Sequence, residues 1–186
     1  MKLQFTHRVA QVADIPNIIK LMQLSIAENM KAFLTTAEIE AAQETMGVDR
    51  SLINDATYFL IETRHRDTTV MVGCGGWGKR KTLYGGDHTM GRDDRLSDPA
   101  IDAARIRAMY THPGWTRQGV GSLLLDLGEQ AARHAGFQTI ALGSTVAGEA
   151  LYKAHGYVEH SRQTQIAANG ADNLVITMHK HLYDLR

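Results

Sequence analysis

Cysteine, proline and aromatic residues are scarce in this sequence. Of its 186 residues, one is cysteine and three are proline, and aromatic residues make up 6%. A single cysteine, Cys74, excludes an internal disulfide and a cysteine-based zinc site. Because Cys74 lies in the apolar stretch 70–77, we expect a small buried hydrophobic residue there and not a reactive thiol.

The sequence also lacks an excess of charge and a long apolar run. Twenty basic residues balance twenty acidic residues, which argues against a nucleic-acid-binding protein of the basic type. No apolar run approaches the roughly 20 residues that span a membrane, and residues 1–10 lack the apolar core of a signal peptide. We therefore expect a cytoplasmic protein with no nucleic-acid or membrane partner.

The remaining composition is that of a globular domain. Hydrophobic residues make up 44% and charged residues 22% of the chain, which argues against intrinsic disorder. A chain of 186 residues predicts one domain over residues 1–186. A domain of this size buries enough surface to fold without a disulfide or a structural metal.

Alternating strand-like and helix-like patterns predict an α/β fold with a mixed sheet of about seven strands flanked by about four helices. The predicted strands are 5–10, 58–62, 69–75, 104–111, 139–143, 158–167 and 173–178. The predicted helices begin at Ile15 after the N-cap Asp14, at the Thr35–Glu38 capping box as far as about Met46, at 119–135, and at 147–155. In the third helix, one apolar stripe is expected from Val120, Leu123, Leu124, Leu127, Ala131 and Ala135.

Two connections have distinct signatures. The pair Asn169-Gly170 predicts a type I′ hairpin turn between the last two strands. Residues 78–102 contain Gly85-Gly86, Gly91, Pro99 and many charges, without a periodic pattern. A connection of about 25 residues favours a functional loop bordering a substrate site; a solvated surface excursion is the alternative.

The segment from Tyr110 to Ser122 joins a strand to a helix. Pro113 and Gly114 end the strand, and Gly119 and Gly121 lie where the helix begins. Amides in the first helical turn have no partner inside the helix, and the helix dipole adds partial positive charge there. Because the glycines lack side chains, the segment predicts a site for a phosphate or pyrophosphate.

Two known phosphate loops do not match this segment. A P-loop needs Gly-Lys-Ser/Thr, whereas Gly121 is followed by Ser122 and Leu123. A dinucleotide-binding turn needs a third glycine or alanine where Leu124 stands.

A different family matches at two places. Thr116-Arg-Gln-Gly-Val-Gly121 resembles motif A of the GNAT superfamily of acyl-CoA-dependent N-acetyltransferases, Arg/Gln-x-x-Gly-x-Gly/Ala, with Thr116 in the first position. Leu151-Tyr-Lys-Ala-His-Gly-Tyr157 resembles motif B of the same family, and the asparagine usual ahead of it corresponds to Thr145. With the predicted element order, the resemblance covers nearly the whole chain.

The resemblance implies an activity and a set of site residues. An amine of a small molecule or peptide would attack the thioester of acetyl-CoA directly, with acetyl-CoA as cosubstrate and without a metal. Tyr152 corresponds to the general acid that protonates the leaving thiolate. The implied cofactor-binding residues are Met109, Tyr110 and Thr111 on the strand, and Thr116, Arg117, Gln118, Gly119, Val120, Gly121 and Ser122 in the glycine loop. Family habit also suggests a homodimer.

The general base is left open. Some family members place a glutamate on the motif A strand, at the position of Arg105, and an arginine cannot serve as a base. The alternatives are Glu62, Asp87, His88 and a chain of waters. Strand alternation predicts Arg105, Arg107 and Met109 on one face, where the arginines either meet a substrate anion or pair with nearby carboxylates.

The two tryptophans and one pair of histidines are less informative about function. Trp77 and Trp115 either flank the cleft or pack in the core. His179 and His181 share a strand face, but without a third ligand they do not predict a metal site. Two other functions are kept open: a non-catalytic acyl-CoA-binding or sensor domain on the same fold, and another nucleotide-binding enzyme.

Overall fold

The computed structural model describes residues 4–183, which form seven strands and five helices. The strands are β1 (Phe5–Val9), β2 (Tyr58–His65), β3 (Thr68–Gly78), β4 (Ala104–Thr111), β5 (Thr139–Ser144), β6 (Val158–Ile166) and β7 (Asp172–His181). The helices are α1 (Ile15–Asn29), α2 (Thr36–Ala42), α3 (Arg50–Asn54), α4 (Val120–His134) and α5 (Val146–Ala154).

All seven strands form one mixed sheet in the order β1-β2-β3-β4-β5-β7-β6. Neighbouring strands are antiparallel except β4 and β5, which are parallel. Adjacent residues of β2 point to opposite faces: Leu60 packs in the cluster that contains α1, and Ile61 in the cluster that contains α4. The sheet therefore has an apolar core on each face.

The predicted α/β fold and its seven strands are confirmed. The structure adds α3, a five-residue helix that begins after the N-cap Asp49 and is too short to show a helical period. Helix α2 begins with the predicted capping box but ends at Ala42, short of Met46. Helix α1 begins at Ile15 as predicted, yet Asp14 does not cap it: its carboxylate accepts from the Gln11 amide (2.8 Å) and pairs with Arg8.

The apolar stripe predicted on α4 is partly wrong. The residues buried there are Val120, Leu124, Leu125, Gly128, Glu129 and Ala132. Glu129 accepts hydrogen bonds from Lys180 (2.7 Å) and Tyr157 (3.1 Å), so a charged residue is paired inside the core. Leu123, Leu127 and Ala131 lie at the edge of the buried face, and Ala135 is exposed.

The predicted type I′ turn at Asn169-Gly170 is also wrong. Of that pair, Gly170 alone has a positive φ, 79°, and a type I′ turn needs two positive φ values. The Gly170 amide donates to the Ala167 carbonyl, and the Ala167 amide to the Ala171 carbonyl. This is a longer turn that needs one left-handed residue. Two successive positive φ values occur at Arg66 and Asp67, between β2 and β3.

Candidate active site

Strands β4 and β5 diverge near the centre of the sheet. They pair at Ala104–Ile140 and Arg105–Ala141, and beyond Arg105 the described residues form no further pairing between these two strands. A cavity of about 100 Å³ lies in the gap. Residues of β4, β5, β7, α5, the α2–α3 connection and the 78–102 loop line it.

A bulge in β4 lies beside this cavity. On β3, Gly76 faces Arg107 and Cys74 faces Tyr110, so one β3 residue opposes two β4 residues, Ala108 and Met109. Ala108 has a φ of 48°, a conformation that non-glycine residues rarely adopt. The Tyr58 hydroxyl donates a 2.7 Å hydrogen bond to the Ala108 carbonyl and so helps to hold the bulge in place.

The bulge changes which side chains share a face. Arg105 and Arg107 lie on the face that carries α3, where Leu52 is their neighbour across Gly78. Met109 packs against the clusters that contain α4. The prediction that Met109 shares a face with both arginines is therefore wrong, because the extra residue of the bulge shifts the two-residue period of the strand.

The strand residues predicted to contact the cofactor lie at this gap. Met109 and Tyr110 line the cavity. The Thr111 carbonyl accepts a 2.7 Å hydrogen bond from the Asn29 amide nitrogen of α1, which anchors the end of β4. Burial raises the pKa of Tyr110 above its usual range, so its phenol is neutral at physiological pH.

The glycine loop is braced by its own side chains. The Thr116 hydroxyl donates to the Pro113 carbonyl (3.2 Å), and the Gln118 side chain donates to the Gly114 carbonyl (3.2 Å). Arg117 has a φ of 60° and Gly119 a φ of 92°. These bends lead directly into α4, whose first-turn amides at Val120, Gly121 and Ser122 lack carbonyl partners within the helix.

Gly119 and Gly121 have different surroundings. No atom lies within 4 Å of the position that a Cβ on Gly119 would take, whereas a Cβ on Gly121 would lie 2.8 Å from Leu151 Cδ2. Gly121 therefore lets α4 pack closely against α5. Gly119 lets the chain turn with a left-handed residue, and no atom fills the space that its side chain would take.

Helices α4 and α5 are also joined by a polar contact. Ser122 Oγ and His155 Nε2 lie 2.9 Å apart in a hydrogen bond. Ser122 is in the first turn of α4 and His155 is the C-cap of α5. This bond fixes the glycine loop relative to the helix that carries Tyr152.

Tyr152 lines the cavity from α5. Its ring packs edge-on against Tyr157, with centroids 5.9 Å apart, and a Cβ on Gly148 would lie 2.9 Å from its Cε2 atom. Burial raises the pKa of Tyr152 to about 12. At neutral pH the hydroxyl therefore keeps its proton, and within residues 4–183 it makes no hydrogen bond, so it is free to donate to a molecule in the cavity.

A family model describing an acetyltransferase (GNAT) domain matches residues 54–159, more than half of the chain. The chain belongs to the GNAT acetyltransferase family. The match contains β2 to β5, the glycine loop, α4, α5 and the start of β6. No curated protein sequence is significantly similar to the chain.

Solved structures agree with the GNAT fold. A GCN5-related N-acetyltransferase from Rhodopseudomonas palustris is 17% identical, with a TM-score of 0.66 and coverage of 97% of this chain and 98% of the other. The protein yncA of Salmonella typhimurium, solved with its cofactor acetyl-CoA, is 18% identical with a TM-score of 0.59 and coverage of 97% and 95%. The ribosomal-protein-S18-alanine N-acetyltransferase of Escherichia coli is 17% identical with a TM-score of 0.56 and coverage of 98% and 97%.

The candidates for a general base lie outside the GNAT cavity. Glu62 pairs with Arg8 (3.1 Å), and Asp87 pairs with Arg50 (2.6 Å). His88 Nε2 lies 3.2 Å from the Gln43 carbonyl oxygen, at the end of α2. Of the described residues that line the cavity, none carries a carboxylate or an imidazole. A water chain is the alternative that these contacts leave open.

Arg107 has the ion-pair role that the sequence left as one of two alternatives. It is 3% exposed and donates to Asp49 Oδ2 (2.7 Å), the Gly85 carbonyl (2.7 Å) and the Thr82 carbonyl (3.1 Å). Arg92 also pairs with Asp49, at 3.0 Å. This network ties β4, α3 and the 78–102 loop together. No sequence signal identified Asp49, which lies between the second predicted helix and the second predicted strand.

Burial alone would raise the pKa of Asp49. Hydrogen bonds from Ser51 and the charges of Arg107 and Arg92 outweigh burial and lower this pKa below its ordinary value. The carboxylate is therefore ionised at neutral pH and balances part of the positive charge beside the cavity.

The remaining candidates lie away from the cavity. Trp77 packs on Phe137 (5.9 Å between centroids), and Trp115 packs on Phe5 (6.3 Å). His179 stacks on His160 at 4.9 Å. Among residues 4–183, no three His, Cys, Asp or Glu side chains are grouped so that they could hold a metal ion. No helix in this part of the chain is long and apolar enough to cross a membrane.

Proposed function

We propose that this GNAT protein transfers an acetyl group from acetyl-CoA to a primary amine of a small molecule or peptide, by direct attack of the amine. The observation that carries the proposal is the neutral Tyr152 hydroxyl, which lines the gap between β4 and β5 without a protein partner among the described residues. A proton donor at this place is suited to a leaving thiolate, which becomes a thiol when it is protonated.

The residues present fit acetyl-CoA, which supplies an acyl group activated as a thioester. The exposed loop around Gly119 and the free amides of α4 suit a pyrophosphate. The unpaired edge of β4 after the bulge offers backbone groups to an extended chain that carries amides. Backbone amides aimed at a carbonyl oxygen are worth about 3 kcal/mol in comparable sites, and we assign this role to Met109, Tyr110 and Thr111.

The incoming amine must lose its proton. Since no carboxylate or imidazole of residues 4–183 lines the cavity, we propose that the amine enters in its neutral form or releases its proton to water. When an ammonium enters a site that has no opposite charge, burial lowers its pKa, and the neutral amine is favoured.

Substitution of Tyr152 by Phe tests this proposal. Tyr152→Phe keeps the ring that packs on Tyr157 and removes the hydroxyl alone. We expect turnover to fall roughly 10- to 1,000-fold, while the affinity for acetyl-CoA changes by less than about 1.5 kcal/mol. Single-turnover kinetics at saturating acetyl-CoA measure the chemical step, and calorimetric titration measures binding.

Tyr183→Phe is the matched control, since it removes the hydroxyl of an exposed tyrosine that is outside the cavity lining. A Tyr152→Phe protein whose chemical step runs at the wild-type rate would show that Tyr152 is a packing residue. Water would then be the source of the proton.

The second candidate function is a non-catalytic acyl-CoA-binding or sensor domain. It is favoured by one observation: among the described cavity residues, none carries a carboxylate or an imidazole that could accept the proton of the amine. Tight acetyl-CoA binding with no transfer to any amine would select this function.

We also propose a location and an assembly state for the protein. We propose a cytoplasmic protein that acts without nucleic acid or membrane, in agreement with its balanced charge. A homodimer is compatible with β6, an edge strand that is exposed over nearly its whole length. Light scattering of the purified protein measures its oligomeric state.

A further inference from the structure

The part of the cavity that faces away from α4 is enclosed by three chain segments. They are the α2–α3 connection at Thr45, Met46 and Gly47, the long loop at Leu83, Tyr84 and Gly85, and the start of β7 at Asn173, Leu174 and Val175. We call this part the acceptor end, because the proposed cofactor contacts lie at the α4 side.

Hydrogen bonds join these segments to one another. The side-chain amide of Asn173 donates to the Thr45 hydroxyl (3.0 Å), and the side-chain amide of Gln165 donates to the Tyr84 hydroxyl (3.0 Å). Next to them, the Ala168 backbone amide donates to the Glu44 carboxylate (2.8 Å), and the Asn169 side chain donates to the Ala37 carbonyl (2.8 Å). The β6–β7 hairpin is thus tied both to α2 and to the long loop, which closes the acceptor end.

Tyr84 forms one wall of the acceptor end. Its ring lies over Gly143 of β5, where an added Cβ would be 3.0 Å from Tyr84 Cδ1. The ring therefore occupies space beside the diverging strands that an extended peptide would need. The cavity volume of about 100 Å³ is below the roughly 300–1,000 Å³ of sites that hold drug-sized ligands.

The charge of the lining restricts the acceptor further. Arg107 is the ionised residue among the described lining residues, and the Asp49 carboxylate that pairs with it is already shared with Arg92. A second ammonium on the acceptor would be removed from water without an anion to pair with, which is costly. If the rest of the acceptor molecule is neutral, it meets the hydroxyl, amide and apolar groups of Thr45, Asn173 and Leu174 instead.

We infer that the acceptor is a compact primary amine with no second positive charge, and that Tyr84 excludes peptides and polyamines from the site. This inference rests on the acetyl transfer proposed above. It assigns Tyr84 a role in acceptor specificity, separate from the proton donation assigned to Tyr152.

The experiment measures kcat/KM for acetyl transfer with two groups of amines at one pH. The compact group is ethanolamine, glycinamide and isobutylamine; the other group is spermidine and the tetrapeptide Ala-Gly-Ser-Gly. We expect the best compact amine to exceed spermidine and the peptide by at least about 10-fold, the scale of discrimination by pocket shape. Calorimetric titration with acetyl-CoA is run on every protein.

Two variants test the wall itself. Tyr84→Ala is expected to raise kcat/KM for the tetrapeptide at least about 10-fold, with less effect on ethanolamine. Tyr84→Leu, which keeps an apolar wall, guards against a folding defect and should give a smaller gain. Leu96→Ala is the control, because Leu96 is in the same loop, 62% exposed and outside the cavity lining.

The outcomes separate the two proposals. Wild-type protein that acetylates spermidine or the tetrapeptide as well as any compact amine overturns the inference and leaves the acetyltransferase function standing. A Tyr84→Ala protein that folds and keeps the wild-type preference removes Tyr84 from specificity. Acetyl-CoA binding without transfer to any of the five amines overturns the acetyltransferase function and this inference with it.

Discussion

The two ends of the gap between β4 and β5 offer different groups to a ligand. At the α4 end these groups are backbone: free amides of the first helical turn, reached past Gly119 with its φ of 92°. At the acceptor end they are side chains from separate segments, such as Tyr84, Asn173 and Arg107. In the functions proposed above, the first end would hold the pyrophosphate common to all CoA derivatives, and the second end would select the acceptor.

The ends also differ in the sequence distance between their interacting partners. Thr116, Gln118 and their carbonyl partners lie within four residues of each other. Arg107 and Asp49 are 58 residues apart, and Tyr84 and Gln165 are 81 apart. Substitutions at the α4 end should therefore change ligand binding locally, and substitutions at the acceptor end should also change the stability of the fold.

The largest expected effect on stability is at Asp49, which supports the acceptor end. Asp49→Asn leaves the buried Arg107 and the half-buried Arg92 without their shared carboxylate, and we expect a loss of about 3–5 kcal/mol in the free energy of unfolding. Urea denaturation measures this loss. Asp94→Asn is the control: Asp94 also contacts Arg92, but its side chain is 57% exposed, so a change below about 1 kcal/mol is expected.

The pH dependence of stability gives a second measurement on Asp49. Its pKa is lowered in the folded protein, so its contribution is complete above the unfolded-state value of about 3.9 and is lost as the pH falls below that value. The wild-type protein should lose more stability below about pH 4 than Asp49→Asn does. Equal acid sensitivity of the two proteins would contradict this account of the network.

The next effect concerns cofactor affinity at the α4 end. Gly119→Asp places a negative charge beside the free amides, and we expect acetyl-CoA to bind at least about 100-fold more weakly, because like charges repel there. Gly119→Asn has nearly the same shape and also tolerates a positive φ, so its loss should be much smaller. Calorimetric titration compares the two variants.

Gly91→Asp is the matched control for charge and backbone conformation. Gly91 also has a positive φ, 76°, with no atom within 4 Å of its Cβ position, but it lies in the long loop. If Gly119→Asp binds acetyl-CoA with unchanged affinity, the pyrophosphate site lies elsewhere, and the contrast between the two ends no longer holds. Gly121 is a poorer test, because its Cβ would meet Leu151.

The smallest expected effect is at the bulge between the two ends. Tyr58→Phe removes the hydrogen bond to the Ala108 carbonyl, which contributes about 1 kcal/mol. We expect turnover to fall roughly 5-fold as the bulge relaxes, since about 1 kcal/mol corresponds to about a factor of 5 in rate, while acetyl-CoA affinity stays nearly constant. Steady-state kinetics at saturating acetyl-CoA measure the change.

A second substitution makes this prediction specific. Ala108→Gly in the Tyr58→Phe background should recover turnover, because glycine adopts a φ of 48° without strain. A Tyr58→Phe protein with wild-type turnover would indicate that strand pairing alone holds the bulge. Failure of the glycine to restore activity would indicate that Tyr58 acts through something other than the Ala108 carbonyl.

The sequence alone determined the features that depend on near neighbours. The seven strands, the starts of α1 and α2 and the extent of α4 follow from short periodic patterns and from turn residues such as Pro113 and Gly136. The phosphate site at the glycine loop could be predicted for the same reason, because unpaired amides at a helix start are a local property of the backbone. Tyr152 was found through its place in a motif, and its role stays a prediction.

Tertiary structure decided the features that need a distant partner. Glu129 of α4 can be buried because Lys180 and Tyr157 donate hydrogen bonds to it. Arg107 of β4 can be buried because Asp49 and two loop carbonyls accept hydrogen bonds from it. The bulge at Ala108 turned Met109 away from the arginines, which no alternation pattern could show. A charged group can be buried when a distant part of the chain pairs with it. The acceptor end could therefore be described only from the folded chain, in which those distant parts are in contact.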